Sequence, residues 1–422
     1  MLPKGISKIN NELYVGSYSF KELQMNYGTP LYIYDKQELM YNIDTFNKYF
    51  KGTNFKSQIV YASKAFLVPK MCKIIDELDW MIDAVSLGDL YLIKESIPLS
   101  RAVFHGNNKS IEELTYAINN NVGIIVVDNY QELLLIEKLN KEFNKEIKTM
   151  FRINPGIEAH THTYIQTSLL SSKFGESIYD EEILDKIMDF YLKHPLIKLL
   201  GFHSHIGSQI TEVDAFIKNA EVMIELSKKL ESKYNYPITD VNLGGGFGIK
   251  YTDEVVSLSD MLEKLAKRID ELVVNTSIKK VYIEPGRSIV GRSGMTLYTG
   301  SMIKNTYGGK KYLFVDGGMT DNIRPALYQA KYEVINPVRL NGESTKVDVV
   351  GKCCESGDIV SKDTVISFEA GDPILVLSTG AYGYSMSSNY KSALKPRVLL
   401  IDQDIEEISK KESLEDLMHL FK

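Results

Sequence analysis

Several side chains in this sequence stand where their type and spacing could do chemistry. Lys64, in Tyr61-Ala62-Ser63-Lys64-Ala65, directly follows an apolar run. An amine there would be partly desolvated, its pKa would fall, and it could condense with a carbonyl as a Schiff base. The run Gly244-Gly245-Gly246-Phe247-Gly248 lacks small-scale bulk, so its backbone N–H groups can approach an anion such as phosphate. Glu284, in Glu284-Pro285-Gly286-Arg287, is a carboxylate able to keep a ring nitrogen protonated. His205, in His203-Ser204-His205-Ile206-Gly207-Ser208-Gln209, could lie flat on such a ring. Each residue also has a plainer reading: a solvated loop lysine, a tight turn, a strand-end acid paired with Arg287, and a hydrogen-bonded structural histidine.

Further along, Cys353-Cys354-Glu355-Ser356-Gly357-Asp358 combines a thiol acid with carboxylates suited to an amine, or is simply a polar turn. Arg324 and Tyr328, in Ile323-Arg324-Pro325-Ala326-Leu327-Tyr328, offer a guanidinium fork and a phenol suited to a carboxylate. Otherwise they are a surface arginine and a half-buried tyrosine. Tyr382, in Gly380-Ala381-Tyr382-Gly383-Tyr384, could bond phosphate or substrate, or merely pack.

The elements that must position these groups are visible as short β-rich apolar runs with helical stretches between them. Eight runs are predicted as strands: Ile59 to Ala62, Met81 to Val85, Ala102 to His105, Ile124 to Val127, Met150 to Ile153, Leu199 to His203, Val241 to Leu243 and Val281 to Ile283. Apolar residues at helical spacing predict helices over Ile111 to Asn119, Tyr130 to Phe143, Glu181 to Leu192, Asp214 to Tyr234 and Leu258 to Val274. Eight strand-helix units imply a closed (β/α)8 barrel of the TIM type, over residues 37–292. After Gly291 the pattern becomes strand-like without regular helices: Met295 to Ile303, Lys311 to Val315, Lys346 to Gly351, Pro373 to Leu377 and Arg397 to Ile401. Together with Leu31 to Tyr34, these predict a second, mostly β domain, sandwich- or barrel-like, from residues 1–36 and 293–422.

In this fold class, sites are built just past the C-terminal ends of the strands, and phosphate often binds after strands seven and eight. Lys64, Ser86, His105, His203 to Gln209, Gly244 to Gly248 and Glu284 to Arg287 all fall at such ends. A phosphate loop, a carboxylate and an imine-forming lysine on one face together describe a pyridoxal phosphate site.

Composition sets the outer bounds. At 422 residues, with hydrophobic residues at 44% and charged residues at 25%, the chain is ordinary globular material large enough for two domains. A formal net charge of -6 argues against broad affinity for nucleic acid or anionic membrane, and a small-molecule substrate fits better. No signal-like apolar segment opens the sequence, no apolar run reaches transmembrane length, and Cys72, Cys353 and Cys354 form no disulfide framework, so a cytoplasmic protein is expected.

The ordered motifs resemble those of the diaminopimelate decarboxylases, within the alanine-racemase-like class of pyridoxal phosphate enzymes. The resemblance runs from Gly28-Thr29-Pro30-Leu31 through Tyr61 to Ala65, Arg152-Ile153-Asn154-Pro155-Gly156 and His203 to Gln209, to Tyr382 and Ser388-Asn389-Tyr390. It implies that Lys64 bears the cofactor, His205 stacks on it and Glu284 meets its ring nitrogen. It further implies that Gly244, Gly245, Gly246 and Gly286 hold phosphate, with Ser208, Arg287 and Tyr382 also binding the cofactor. By the same resemblance Arg287, Arg324, Tyr328, Glu355 and Tyr382 contact substrate, and Cys354 is the proton donor, contributed across a homodimer interface. The implied reaction is decarboxylation of meso-2,6-diaminopimelate to L-lysine, the last step of lysine biosynthesis. Two places depart from the family pattern: Thr167 to Gly175 lacks the glycine and acids expected ahead of Lys173, and Lys391 replaces an asparagine expected after Tyr390.

Other readings remain at this stage. His203 and His205 lie two apart, as strand ligands of a metal-dependent barrel hydrolase would, although the other strand ends supply few further ligands, and no metal is expected. A sister decarboxylase of ornithine, lysine or arginine would share the cofactor site and differ at the distal end of the substrate. A noncatalytic cofactor-binding homologue is a third possibility, and it would be expected to lack Lys64 or Cys354.

Overall fold

The computed structural model describes residues 2–157, 172–252 and 255–421. The chain divides into two compact units, Asp44–Gly248 with Val255–Gly286, and Met1–Ile43 with Ile249–Glu254 and Arg287–Lys422. Residues 167–171 of the departure noted above lie outside the described residues.

The first unit is the expected barrel. Its eight parallel strands are Lys56–Tyr61, Met81–Ala84, Ala102–Phe104, Ile124–Val127, Ile147–Asn154, Ile197–His203, Asp240–Asn242 and Lys280–Ile283. Each pairs with the next, and Ile283 opposite Ile59 closes the ring. A two-residue strand, Glu176–Ser177, adds to the fifth. Val60, Val103, Ile124, Val126, Met150 and Tyr282, from five of the eight strands, form one of the barrel's buried clusters. Gly201 lets the sixth and seventh strands approach: a β-carbon there would collide with the carbonyl oxygen of Asp240.

Several outer helices begin where short polar side chains cap them. Ser86 and Ser110 form capping boxes with Asp89 and Glu113, and Asn129 caps the helix Tyr130–Phe143. That helix and Ile111–Asn119 have the bounds expected from periodicity. Pro69–Glu77 and Leu87–Lys94 are further helices of the ring.

The second unit is mostly β. Its long strand Gly294–Asn305 pairs with Lys311–Val315, Pro373–Val376 and Leu31–Asp35. Leu31–Asp35 lies in turn parallel to Arg397–Ile401, so the predicted N-terminal strand is an internal member of this sheet. Strands Thr345–Val350, Ile359–Ile366 and Ile405–Ser409 extend it. Among the described residues the unit has buried clusters around Leu31, Ile33, Leu297 and Leu399 and around Tyr298, Leu313, Val349 and Ile374.

This mostly β unit also holds short helices, Arg324–Tyr328 and Leu414–Met418, each too brief for a periodic signal. By their internal contacts the two units divide inside helix Lys36–Tyr49 and just after Gly286. The start of that helix is tied to the β unit through Arg292–Glu38 at 3.3 Å and Asn42 donating to the Ile289 carbonyl at 2.9 Å.

Candidate active site

The barrel unit gathers its chemistry around Glu284, which follows the eighth strand and is buried. The Asn242 side chain donates to Glu284 Oε1 at 2.7 Å. His105 Nε2 lies 3.0 Å from the same oxygen, and His203 Nε2 lies 3.3 Å from Oε2. Burial alone would raise the pKa of this carboxyl, but the two imidazoles hold it well below the usual range. His203 is itself pushed down to about 4, chiefly by burial, so at neutral pH it is an uncharged N–H donor. The result is a buried anion held by electrostatic attraction and hydrogen bonds from the groups around it. The alternative of a strand-end pair with Arg287 does not describe these contacts.

His105, His203 and Glu284 also form, among the described residues, the one group of such ligands close enough to hold a metal ion. The sequence pairing of His203 with His205 is not part of it. His205 instead accepts the Gly245 N–H on Nδ1 at 3.2 Å, which fixes its ring. Burial foremost, with Lys64 and Arg152 as neighbouring cations, keeps His205 well below its ordinary pKa and therefore neutral.

Lys64 lies in the tight turn Ser63–Ala65 after the first strand. Tyr61 Oη donates to the Phe66 carbonyl at 2.7 Å and the Ser63 amide to Asp83 Oδ1 at 2.6 Å, so the turn is fastened on both sides. Its neighbours Ser63 and Ala65 are buried, whereas Lys64 is exposed. Its charge nonetheless reaches the buried groups Asp83 and His205. Asp83 is raised by burial and pulled back by Lys64 and His105.

The glycines are required by close packing. β-Carbons on Gly244, Gly245 and Gly246 would collide with the carbonyl oxygens of Ser204, Glu284 and Gly207. Gly244 and Gly246 also take positive φ, 69° and 111°. Two amides of the run already have acceptors, Gly244 on Asn242 Oδ1 at 2.9 Å and Gly245 on His205. The turn therefore also orients the side chains beside it. Gly286 packs against Ala62, and Ser208 is half-buried in the loop after the sixth strand.

The β unit carries a second constellation. Arg287 Nη1 donates to Tyr251 Oη at 2.6 Å, and its guanidinium lies 4.9 Å from the Tyr382 ring centre. Arg324, buried at the start of its helix, donates through Nε to Tyr332 Oη at 2.9 Å and lies 5.3 Å from the rings of both Tyr328 and Tyr382. Tyr382 takes a left-handed φ of 61°, an uncommon conformation for an aromatic residue. The Cys353 to Asp358 loop is held by Asp358, which accepts from the amides of Cys353 and Met319 at 2.7 Å each. Cys354 and Glu355 are exposed on this loop, and Tyr390 Oη donates to Glu355 Oε1 at 2.5 Å.

Sequence reasoning assigned no role to Asn242 or Asp83, and noted His105 only as a strand-end residue. The available signal was polarity: each is a hydrogen-bonding residue in or just after an otherwise apolar strand.

Comparison with known proteins agrees with this geometry. Residues 37–291 match the family model described as pyridoxal-dependent decarboxylase, pyridoxal binding domain. The chain is 40% identical to the diaminopimelate decarboxylase of Bacillus subtilis, over 100% of this chain and 98% of that protein. The chain belongs to the diaminopimelate decarboxylase family. It is also 40% identical to the Staphylococcus aureus member over 97% of both chains. Among solved structures it is similar to the diaminopimelate decarboxylase of M. jannaschii in co-complex with L-lysine, with a TM-score of 0.92 and 31% identity, covering 99% of this chain and 98% of that one. Among the described residues no helix is long and apolar enough to cross a membrane.

Proposed function

We propose that this chain decarboxylates meso-2,6-diaminopimelate at its D-centre, releasing carbon dioxide and L-lysine, with pyridoxal phosphate as cofactor. The observation that carries the reading is the buried Glu284 anion, held by Asn242, His105 and His203 at the barrel mouth. An ionised acid in so dry a place suits a protonated ring nitrogen, and the side-chain-free turn of Gly244 to Gly246 suits a group that must approach backbone closely. When bound, pyridoxal phosphate accepts the electron pair left on the substrate α-carbon as carbon dioxide departs.

The chain's own residues do the rest. Lys64 anchors the cofactor and, being exposed, is within reach of it on entry. Glu284 would hold a proton on the ring nitrogen, and neutral His205 would pack against the ring without adding charge. Gly246, Gly286, Ser208, Arg287 and Tyr382 hold phosphate with Gly244 and Gly245. Arg324 and Tyr328 take the distal carboxylate, Glu355 takes the distal ammonium, and Arg287 and Tyr382 also border the substrate. Cys354 delivers a proton to the α-carbon after carbon dioxide leaves, from the partner of a cytoplasmic homodimer.

The test is to incubate purified, cofactor-loaded protein with meso-diaminopimelate and measure carbon dioxide and lysine, then to reduce with borohydride and map the cofactor. Stoichiometric products and an adduct on Lys64 are expected. Equal turnover of L-lysine or L-ornithine, or an adduct on another lysine, would overturn the assignment.

A further inference from the structure

The place where the sequence departs from its family meets one of the proposed substrate contacts. Lys391 Nζ lies 3.5 Å from Glu355 Oε1, the same oxygen that accepts from Tyr390 Oη at 2.5 Å. Consecutive residues reach one oxygen because the backbone turns sharply: Lys391 has φ 56° and ψ 29°, and Ser392 also has φ 56°. The turn is fastened by Ser392 N–H to the Asn389 carbonyl at 2.9 Å and Ala393 N–H to the Tyr390 carbonyl at 3.2 Å. Asn389 adds bonds to the Ala393 carbonyl at 2.9 Å and to Glu412 Oε2 at 2.5 Å. Lysine adopts a left-handed backbone less readily than asparagine does, so the charge sits at a position that local conformation would give to another residue.

We propose that Lys391 is a built-in competitor for the substrate's distal ammonium: it neutralises Glu355 in the free enzyme and must be displaced when that ammonium binds. This rests on the decarboxylase reading above and deepens it by naming a specificity-determining residue. The side chains of Lys391 and Glu355 are 38% and 41% exposed, which makes the pair weak enough to exchange. The Tyr390 hydrogen bond, with Lys391 beside it, keeps Glu355 ionised, so the carboxylate stays charged and aimed between turnovers. A ligand lacking the distal ammonium has nothing with which to displace Lys391.

The holoenzyme can test this by calorimetric titration with L-lysine and with ε-aminocaproate, which differs from lysine only in lacking the α-ammonium. Lys391→Asn, a residue the left-handed backbone accepts, should tighten L-lysine by roughly two- to five-fold, the range expected for releasing an exposed ion pair. Binding of ε-aminocaproate should not change, Lys391→Arg should behave as the wild type, and the gain should disappear at about 0.5 M salt, where exposed pairs are screened. Equal weakening of both ligands in Lys391→Asn would instead assign Lys391 to the ligand carboxylate and overturn the proposal, as would no change in lysine affinity. Failure of the wild-type holoenzyme to bind lysine, together with no carbon dioxide from diaminopimelate, would overturn the decarboxylase reading and this inference with it. Wild-type binding without the salt-sensitive gain would overturn this inference alone.

Discussion

Asn242 donates its side-chain amide to Oε1 of Glu284 at 2.7 Å, joining the seventh and eighth barrel strands at the buried end of the site. With His105 and His203 on the same carboxylate, the acid is fixed in both place and charge. Glu284→Gln preserves size and removes the charge. Decarboxylation should fall by about 10²-fold or more, the magnitude typical of losing one preorganised electrostatic partner. Rates within tenfold of the wild type would show that the carboxylate does not act on the ring nitrogen.

Asp321 in the β unit titrates in the folded protein at about 7 instead of 3.8, because burial disfavours its charge. The folded state therefore holds this proton more tightly than the unfolded chain. The stability it contributes is fully present below the unfolded value of 3.8 and is lost as pH rises through about 7. Asp321→Asn removes the titration, so denaturant curves should show the wild type losing up to ~4 kcal/mol relative to the variant across that range. A difference that stays constant with pH would rule out the burial argument.

The cysteines should separate by reactivity. Burial pushes the Cys72 thiol up to about 12, whereas Cys354 is exposed. Brief treatment with iodoacetamide followed by peptide mass spectrometry should find Cys354 alkylated and Cys72 intact, with activity lost in step with the first. Inactivation that tracks Cys72, or full Cys354 modification with activity retained, would remove Cys354 from the mechanism.

If two subunits complete each site, inactive variants should rescue one another. Lys64→Ala and Cys354→Ala proteins mixed under subunit exchange should form mixed dimers in about half of the pairs, each with one intact site, and recover roughly a quarter of native activity. Should mass spectrometry confirm mixed dimers while activity stays absent, Cys354 acts within its own subunit or not at all.

Much of this protein was legible in its sequence. The eight strands show as β-rich runs because barrel interiors demand branched, apolar residues at short, regular intervals, and that demand is local. The same holds for Lys64, the glycine run and Glu284, whose strand-end positions need only the strand count. What folding decided was which groups meet. Asn242, His105 and His203 converge on Glu284 only because the sheet closes into a ring, and no local pattern records that closure. The exposure of Lys64, the use of two glycine amides by neighbouring side chains and the helical turn of Arg324 to Tyr328 likewise depend on packing across the chain. Lys391 shows the division most plainly: its substitution was visible in the sequence, but its partner Glu355 lies on a separate loop, and only the left-handed turn at residue 391 brings the two charges together.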